Sequence, residues 1–155
     1  MSSVGGHTRI AEWPTGCDAL VLPGLPGRSE ESAPEDYALY PGSVIDVVKL
    51  LRERGLSIDY APADRPRAEV ELKAAELWAP IIVFAQDVLV AGGAHALVEV
   101  AWDRLRGRRG GSILHLRVGK RDGETGNVEW FESHGRATDV LDAFIVWSEQ
   151  DPPNE

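Results

Sequence analysis

The strongest constraint on this chain is one apolar stretch, Trp78 to Trp102, closed by a burst of arginines. No Lys or Arg lies between Lys73 and Arg104; then Arg104, Arg106, Arg108 and Arg109 arrive together. A segment this apolar must be buried in its own core, against a partner, or in a membrane. Its length would suffice for a span, which needs roughly 20 apolar residues. However, Gln86, Asp87, His95 and Glu99 interrupt it. A charge at the bilayer centre costs on the order of 2.5–3.5 kcal/mol on insertion scales. The stretch therefore reads as a core helix, with no membrane span.

Helical spacing supports that reading. Beyond Pro80, Ile82, Ala85, Leu89, Gly92, Ala96 and Val100 fall on one face, and Val83, Val90, Ala94 and Val98 on the other. The pattern predicts a long central helix, apolar nearly all round. It either fills the core or also meets a second chain, with Ile82, Leu89 and Gly92 on that core or oligomer face. Upstream, from Arg67, the Glu, Leu, Lys and Ala content favours helix, which Pro80 kinks or divides. Gly92 and Gly93 mark a bend or a close backbone approach, and Gly110 and Gly111 end the helix.

Around this centre, short elements are legible. His7–Trp13 and Asp18–Leu22 read as strands joined by a turn at Pro14–Gly16. Pro23–Gly42, rich in Pro, Gly, Ser and acid, reads as a long surface loop. Ser43 and Asp46 have capping-box spacing, and Val44, Val47, Val48 and Leu51 recur as on a helix that stops at Gly55. Leu56, Ile58 and Tyr60 alternate as one face of a strand. Ser112–Val118 and Asn127–Glu132 alternate about a polar turn and predict a hairpin. Thr138 or Asp139 caps a last helix with Val140, Leu141, Phe144, Ile145 and Trp147 on its apolar side. The order predicts an α+β fold. Two layers are expected, a largely antiparallel sheet with a long central apolar helix and two further helices. Residues 1–150 read as a single domain and 151–155 as a polar tail.

Composition narrows the setting. The chain has 155 residues, 43% of them apolar, which suits a folded domain. A net charge of −9 opposes nucleic-acid binding by bulk attraction. The one cysteine, Cys17, excludes an internal disulfide, and the N-terminus lacks the apolar core of a signal peptide. The expected location is the cytoplasm.

One family resemblance follows from the central segment. Ala91-Gly92-Gly93-Ala94, then Leu97, Trp102 and Leu105 with arginines, is similar to the central helix of the effector-associated constant component family of actinobacterial conflict systems. The strands at Ser112–Val118 and Asn127–Ser133 and the helix from Thr138 also resemble that family. The likeness spans roughly residues 43–147 in element order. Its motifs, small residues with Trp and Arg on a helix, are unspecific, and the stretch before Ser43 stands outside it. The resemblance implies an accessory domain encoded near NTPases or proteases and acting through protein contacts, with no catalytic residues to carry over.

The residues themselves form no complete catalytic motif. His95 and Glu99, four apart on a helix, could hold a metal and define an alternative reading as a metal-dependent enzyme. A zinc site needs at least three protein ligands, so a buried His–Glu hydrogen bond is the simpler account. His115 and His134 stand on the predicted hairpin, though nothing in the sequence shows them converging. Asp87 reads as a carboxylate paired with Arg117 or Lys73. Cys17 lacks a nucleophile signature, and the neighbouring Asp18 would raise its pKa. The glycine pairs lack the Lys-Ser/Thr of a phosphate loop.

The basic run is the main functional candidate. Arg104, Arg106, Arg108, Arg109, Arg117, Lys120 and Arg121 exceed what a helix C-terminus requires. With Trp102 as an anchor, Arg104, Arg106, Arg108, Arg109, Arg117 and Arg121 form the expected protein-partner surface, since Trp and Arg dominate interface energetics. Nucleic-acid binding through Arg104–Arg121 is the other alternative, disfavoured because no stacking aromatics interleave with these arginines. The expectation is a cytoplasmic protein-interaction module, adaptor or regulator, within a larger assembly, with a homo-oligomer as a further option. No cofactor and no metal are expected.

Overall fold

The computed structural model describes residues 2–4, 8–26, 38–61, 66–70, 76–105 and 112–150. In chain order the strands are β1 (Ser2–Val4), β2 (Thr8–Arg9), β3 (Ala19–Leu22), β4 (Ala38–Pro41), β5 (Ile58–Tyr60), β6 (Arg67–Val70), β7 (Glu76–Trp78), β8 (Ile81–Ala85), β9 (Ile113–Arg121) and β10 (Asn127–Arg136). The helices are α1 (Val44–Glu53), α2 (Gln86–Val88), α3 (Ala94–Leu105) and α4 (Ala137–Glu149), with a π-helical turn, Leu89–Gly93, joining α2 to α3. The class is α+β, as expected.

The main sheet runs β1-β10-β9-β8-β3-β5, with β2 also on β10 and β7 also on β9. It is mixed rather than largely antiparallel. The β9–β10 hairpin, β1–β10, β2–β10 and β3–β8 pair antiparallel, whereas β3–β5, β7–β9 and β8–β9 are parallel. A small parallel pair, β4–β6, lies apart from it. Strand β4 thus occupies the end of the stretch expected to be loop; residues 27–37 of that loop lie outside the described residues.

The largest departure from the sequence reading is in the apolar stretch. Ile81–Ala85 is not helix but an interior strand, buried on both faces. Ile82 and Phe84 join the core under the helices, and Ile81 and Val83 the opposite face. Ile82 is therefore a core residue, but on a strand. A short apolar run with both faces covered has no period to separate strand from buried helix. Glu76–Trp78 and Arg67–Val70, also expected as helix, are strands. Between β7 and β8 the register against β9 shifts by one residue: Trp78 faces His115, and Ile82 faces Val118. Pro80 sits in that bulge, where its missing N–H removes no ladder bond.

The helix proper begins at Gln86. Gly92 breaks it, with φ 152°, and an added Cβ there would meet nothing within 4 Å. Gly93 makes the close approach instead, since its Cβ would sit 3.2 Å from a ring carbon of Phe84. Leu89 is buried as expected. Helix α3 is amphipathic, not apolar all round: Ala94, Leu97, Val100, Ala101 and Leu105 are buried, while His95, Glu99 and Trp102 are exposed.

Helices α1, α3 and α4 all pack on one face of the sheet, in one core with Val21, Ile82, Phe84, Leu116, Val118 and Phe131. Helix α1 buries Val44, Val47, Val48 and Leu51 as its spacing predicts. The expected capping box is absent: Ser43 Oγ donates to the Trp78 carbonyl, and Asp46 pairs with Arg104. Helix α4 starts one residue before Thr138, without a side-chain cap. No helix among the described residues is long and apolar enough to cross a membrane.

Candidate functional site

The opposite face of the sheet carries no helix among the described residues. Near the hairpin turn it is closed by a small cluster of Ile81, Val83, Val128 and Trp130, against which Ile10, Trp13 and Leu22 pack. Gly119 allows this closure, because a Cβ there would lie 2.7 Å from Val128 Cγ1 and 3.0 Å from Val83 Cγ2. Toward the other end of the hairpin the face is half open and polar.

Strand alternation builds that open part. With Leu114, Leu116 and Val118 committed to the core, His115 and Arg117 of β9 point to the helix-free side. The register sets Trp78, His115 and His134 in one row across β7, β9 and β10. Their rings stack: Trp78 and His115 have centroids 3.6 Å apart at 8°, and His115 and His134 lie 5.7 Å apart at 11°. One carboxylate serves two of them. Glu76 Oε2 accepts from Trp78 Nε1 at 3.2 Å and lies 3.2 Å from His115 Nε2. One row along, Arg117 Nη1 donates to Glu132 Oε2 at 3.1 Å, and its guanidinium lies 4.2 Å from the centre of Trp130. Trp78 and His115 are half-buried and His134 is exposed.

The described arginines of the run do not form one surface. Arg104 lies on α3, in the helical layer, and donates to Asp46 at 3.0 Å. Arg117 and Arg121 lie on the far side of the sheet; Arg121 Nε donates to the Ile10 carbonyl and its guanidinium lies 5.0 Å from the Trp13 ring. Arg106, Arg108 and Arg109 lie outside the described residues. Trp102 is 44% exposed, but on a helix it projects about 200° from Arg104, at 100° per residue. The two do not share a flank. Lys120 points the other way from Arg117 and Arg121 and is buried, donating to the Gln150 carbonyl over the Trp147 ring.

Two tryptophans do lie on arginines of the run, Trp130 under Arg117 and Trp13 under Arg121, but Trp130 is 4% exposed and both pack in the cluster that closes this face.

The other candidates resolve locally. His95 and Glu99 are not a buried pair: both are exposed, and Glu99 accepts from Arg54 at 3.2 Å. Arg54 also donates to Asp103, and these two carboxylates, Asp103 first, raise its pKa further above the ordinary arginine value. Asp87 is exposed in the turn after β8, and its expected partner Arg117 goes to Glu132; Lys73 lies outside the described residues. Cys17 is a buried packing residue whose Sγ donates to the Ala19 carbonyl; burial pushes its thiol up, backbone hydrogen bonds at Ala19 and Asp59 offset part of that, and the Asp59 and Asp18 charges add a little to it. Among the described residues, no group of three or more His, Cys, Asp or Glu is placed to hold a metal ion.

His115, His134 and Glu76 are the site residues the sequence did not single out as a unit. Their pairing depends on the β7–β9 register, which no local signal sets. No family model, curated protein or solved structure matches the chain.

Proposed function

We propose that this chain is a small protein-interaction module. It acts as an adaptor or regulator in the cytoplasm, within a larger bacterial assembly such as a conflict or defence system. Its contact surface is the helix-free sheet face. The observation that carries this reading is the Trp78–His115–His134 row, flanked by Arg117 on Trp130. Aromatic and arginine side chains are the types that dominate interface energetics. Here stacking and the Glu76 and Glu132 carboxylates already hold them in place, so less side-chain freedom is lost on contact. The net charge of −9, with a carboxylate beside His115 and another beside Arg117, favours a protein partner over a phosphate backbone.

The test is retention of a partner by the tagged full-length chain in its native cells. The wild type is compared with a Trp78→Ala/His134→Ala variant and with Trp102→Ala, each checked for folding by circular dichroism. A stoichiometric partner should be lost with the first variant and kept by the second. Loss of a Trp anchor weakens a contact by about 2 kcal/mol, roughly thirtyfold in Kd. A partner lost only with Trp102→Ala would move the contact to the helical layer. Recovery of the chain alone would overturn the module reading.

A further inference from the structure

Strand β5 is the last strand of the main sheet and pairs only with β3 among the described residues. Such an edge is a template for another strand unless something covers it. The β3 side of β5 is marked by the bonds at its two ends: the Ser57 carbonyl accepts from Asp18 and Ala19, and the Ala61 amide donates to the Val21 carbonyl. Backbone groups alternate sides along a strand, so the Ile58 carbonyl points away from β3, to the outer edge. Arg52 meets it there. From the last turn of α1, its Nε donates to the Ile58 carbonyl at 3.2 Å and its Nη2 at 2.6 Å, two donors on one oxygen. Asp59, exposed at the centre of the same short strand, adds a second obstacle: identical edges meeting about a twofold axis would bring two Asp59 carboxylates together.

We propose that Arg52 is an edge guard, closing β5 to strand addition from a second copy of this chain. The side chain has a plainer reading, as a cation at the C-terminus of α1 and a staple between helix and strand. The two differ in what removal does. A staple costs stability alone, whereas a guard opens an interface.

The experiment is light scattering on the full chain over a concentration series, for the wild type, Arg52→Ala, Arg52→Ala/Asp59→Thr and Arg52→Lys. Thermal unfolding of each is measured alongside. The guard predicts that the mass of Arg52→Ala rises with concentration toward double that of the wild type. The double variant should rise further at the same concentration, and Arg52→Lys should fall nearer the wild type. In the associated form the β5 amides should gain protection from hydrogen exchange. A lower Tm with the wild-type mass at every concentration, in both folded alanine variants, would overturn the proposal. So would association that leaves β5 exchange unchanged.

Discussion

Cys17 shows how a residue that looks chemical in sequence becomes structural in the fold. Its thiol is buried and donates to a backbone carbonyl, and desolvation disfavours the thiolate. A nucleophile needs the opposite shift. Because the folded-state pKa is raised, the native state keeps its proton where the unfolded chain has begun to lose it. The stability this represents is complete below the ordinary thiol value and is lost as pH rises through the raised folded one. Urea unfolding at increasing alkaline pH should therefore show a stability decline in the wild type that is shallower in Cys17→Ala. Equal slopes would refute the assignment. At this scale the sequence argued against a nucleophile but left a packing residue and an exposed thiol equally open; burial in the fold decides for packing.

At the scale of elements, the segment from β8 to α3 turns on one backbone angle. Strand, short helix, π-turn and long helix follow without a loop, and Gly92 at φ 152° absorbs the change of direction. Space is open around its Cβ position, so substitution there tests conformation alone. Gly92→Ala should destabilise by about 1–3 kcal/mol, the cost of holding a non-glycine residue at a sparsely populated angle. A smaller loss on denaturant titration would mean that the kink relaxes. The sequence marked Gly92–Gly93 as a bend or a close approach; the fold assigns the bend to Gly92 and the approach to Gly93. It could not place the strand–helix boundary, because Ile81–Ala85 satisfies both patterns and only Pro80 hinted against helix.

For the whole molecule, the question left by the sequence was whether the apolar stretch is a core or an interface between copies. The structure buries its strand, Leu89 and the inner face of α3 in the core of one chain, while Val90 and Trp102 of the same stretch are exposed. Leu89 is 1% exposed, between the sheet and the helices. Leu89→Arg would bury an unpaired charge, which costs several kcal/mol. The expected outcome is loss of the cooperative thermal transition, not a folded protein of lower mass. A folded Leu89→Arg chain that has merely dissociated would restore the interface reading. The exposed apolar side chains on the helical layer, Ile45, Val90, Trp102 and Val146, belong to different elements and are a separate matter from that core.

Legible in the sequence were the locally periodic parts: α1, the β9–β10 hairpin, α4, the α+β class and the burial of Ile82 and Leu89 within the apolar stretch. Each depends on spacing within a few residues, which side-chain periodicity reports directly. The long-range contacts were set by the fold: the parallel pairings of β3 with β5 and of β7 and β8 with β9. With them came the Trp78–His115–His134 row and the division of the arginines between two faces. The residues of that row lie far apart along the chain. Strand alternation fixes which face each one takes, and register fixes which neighbour it meets.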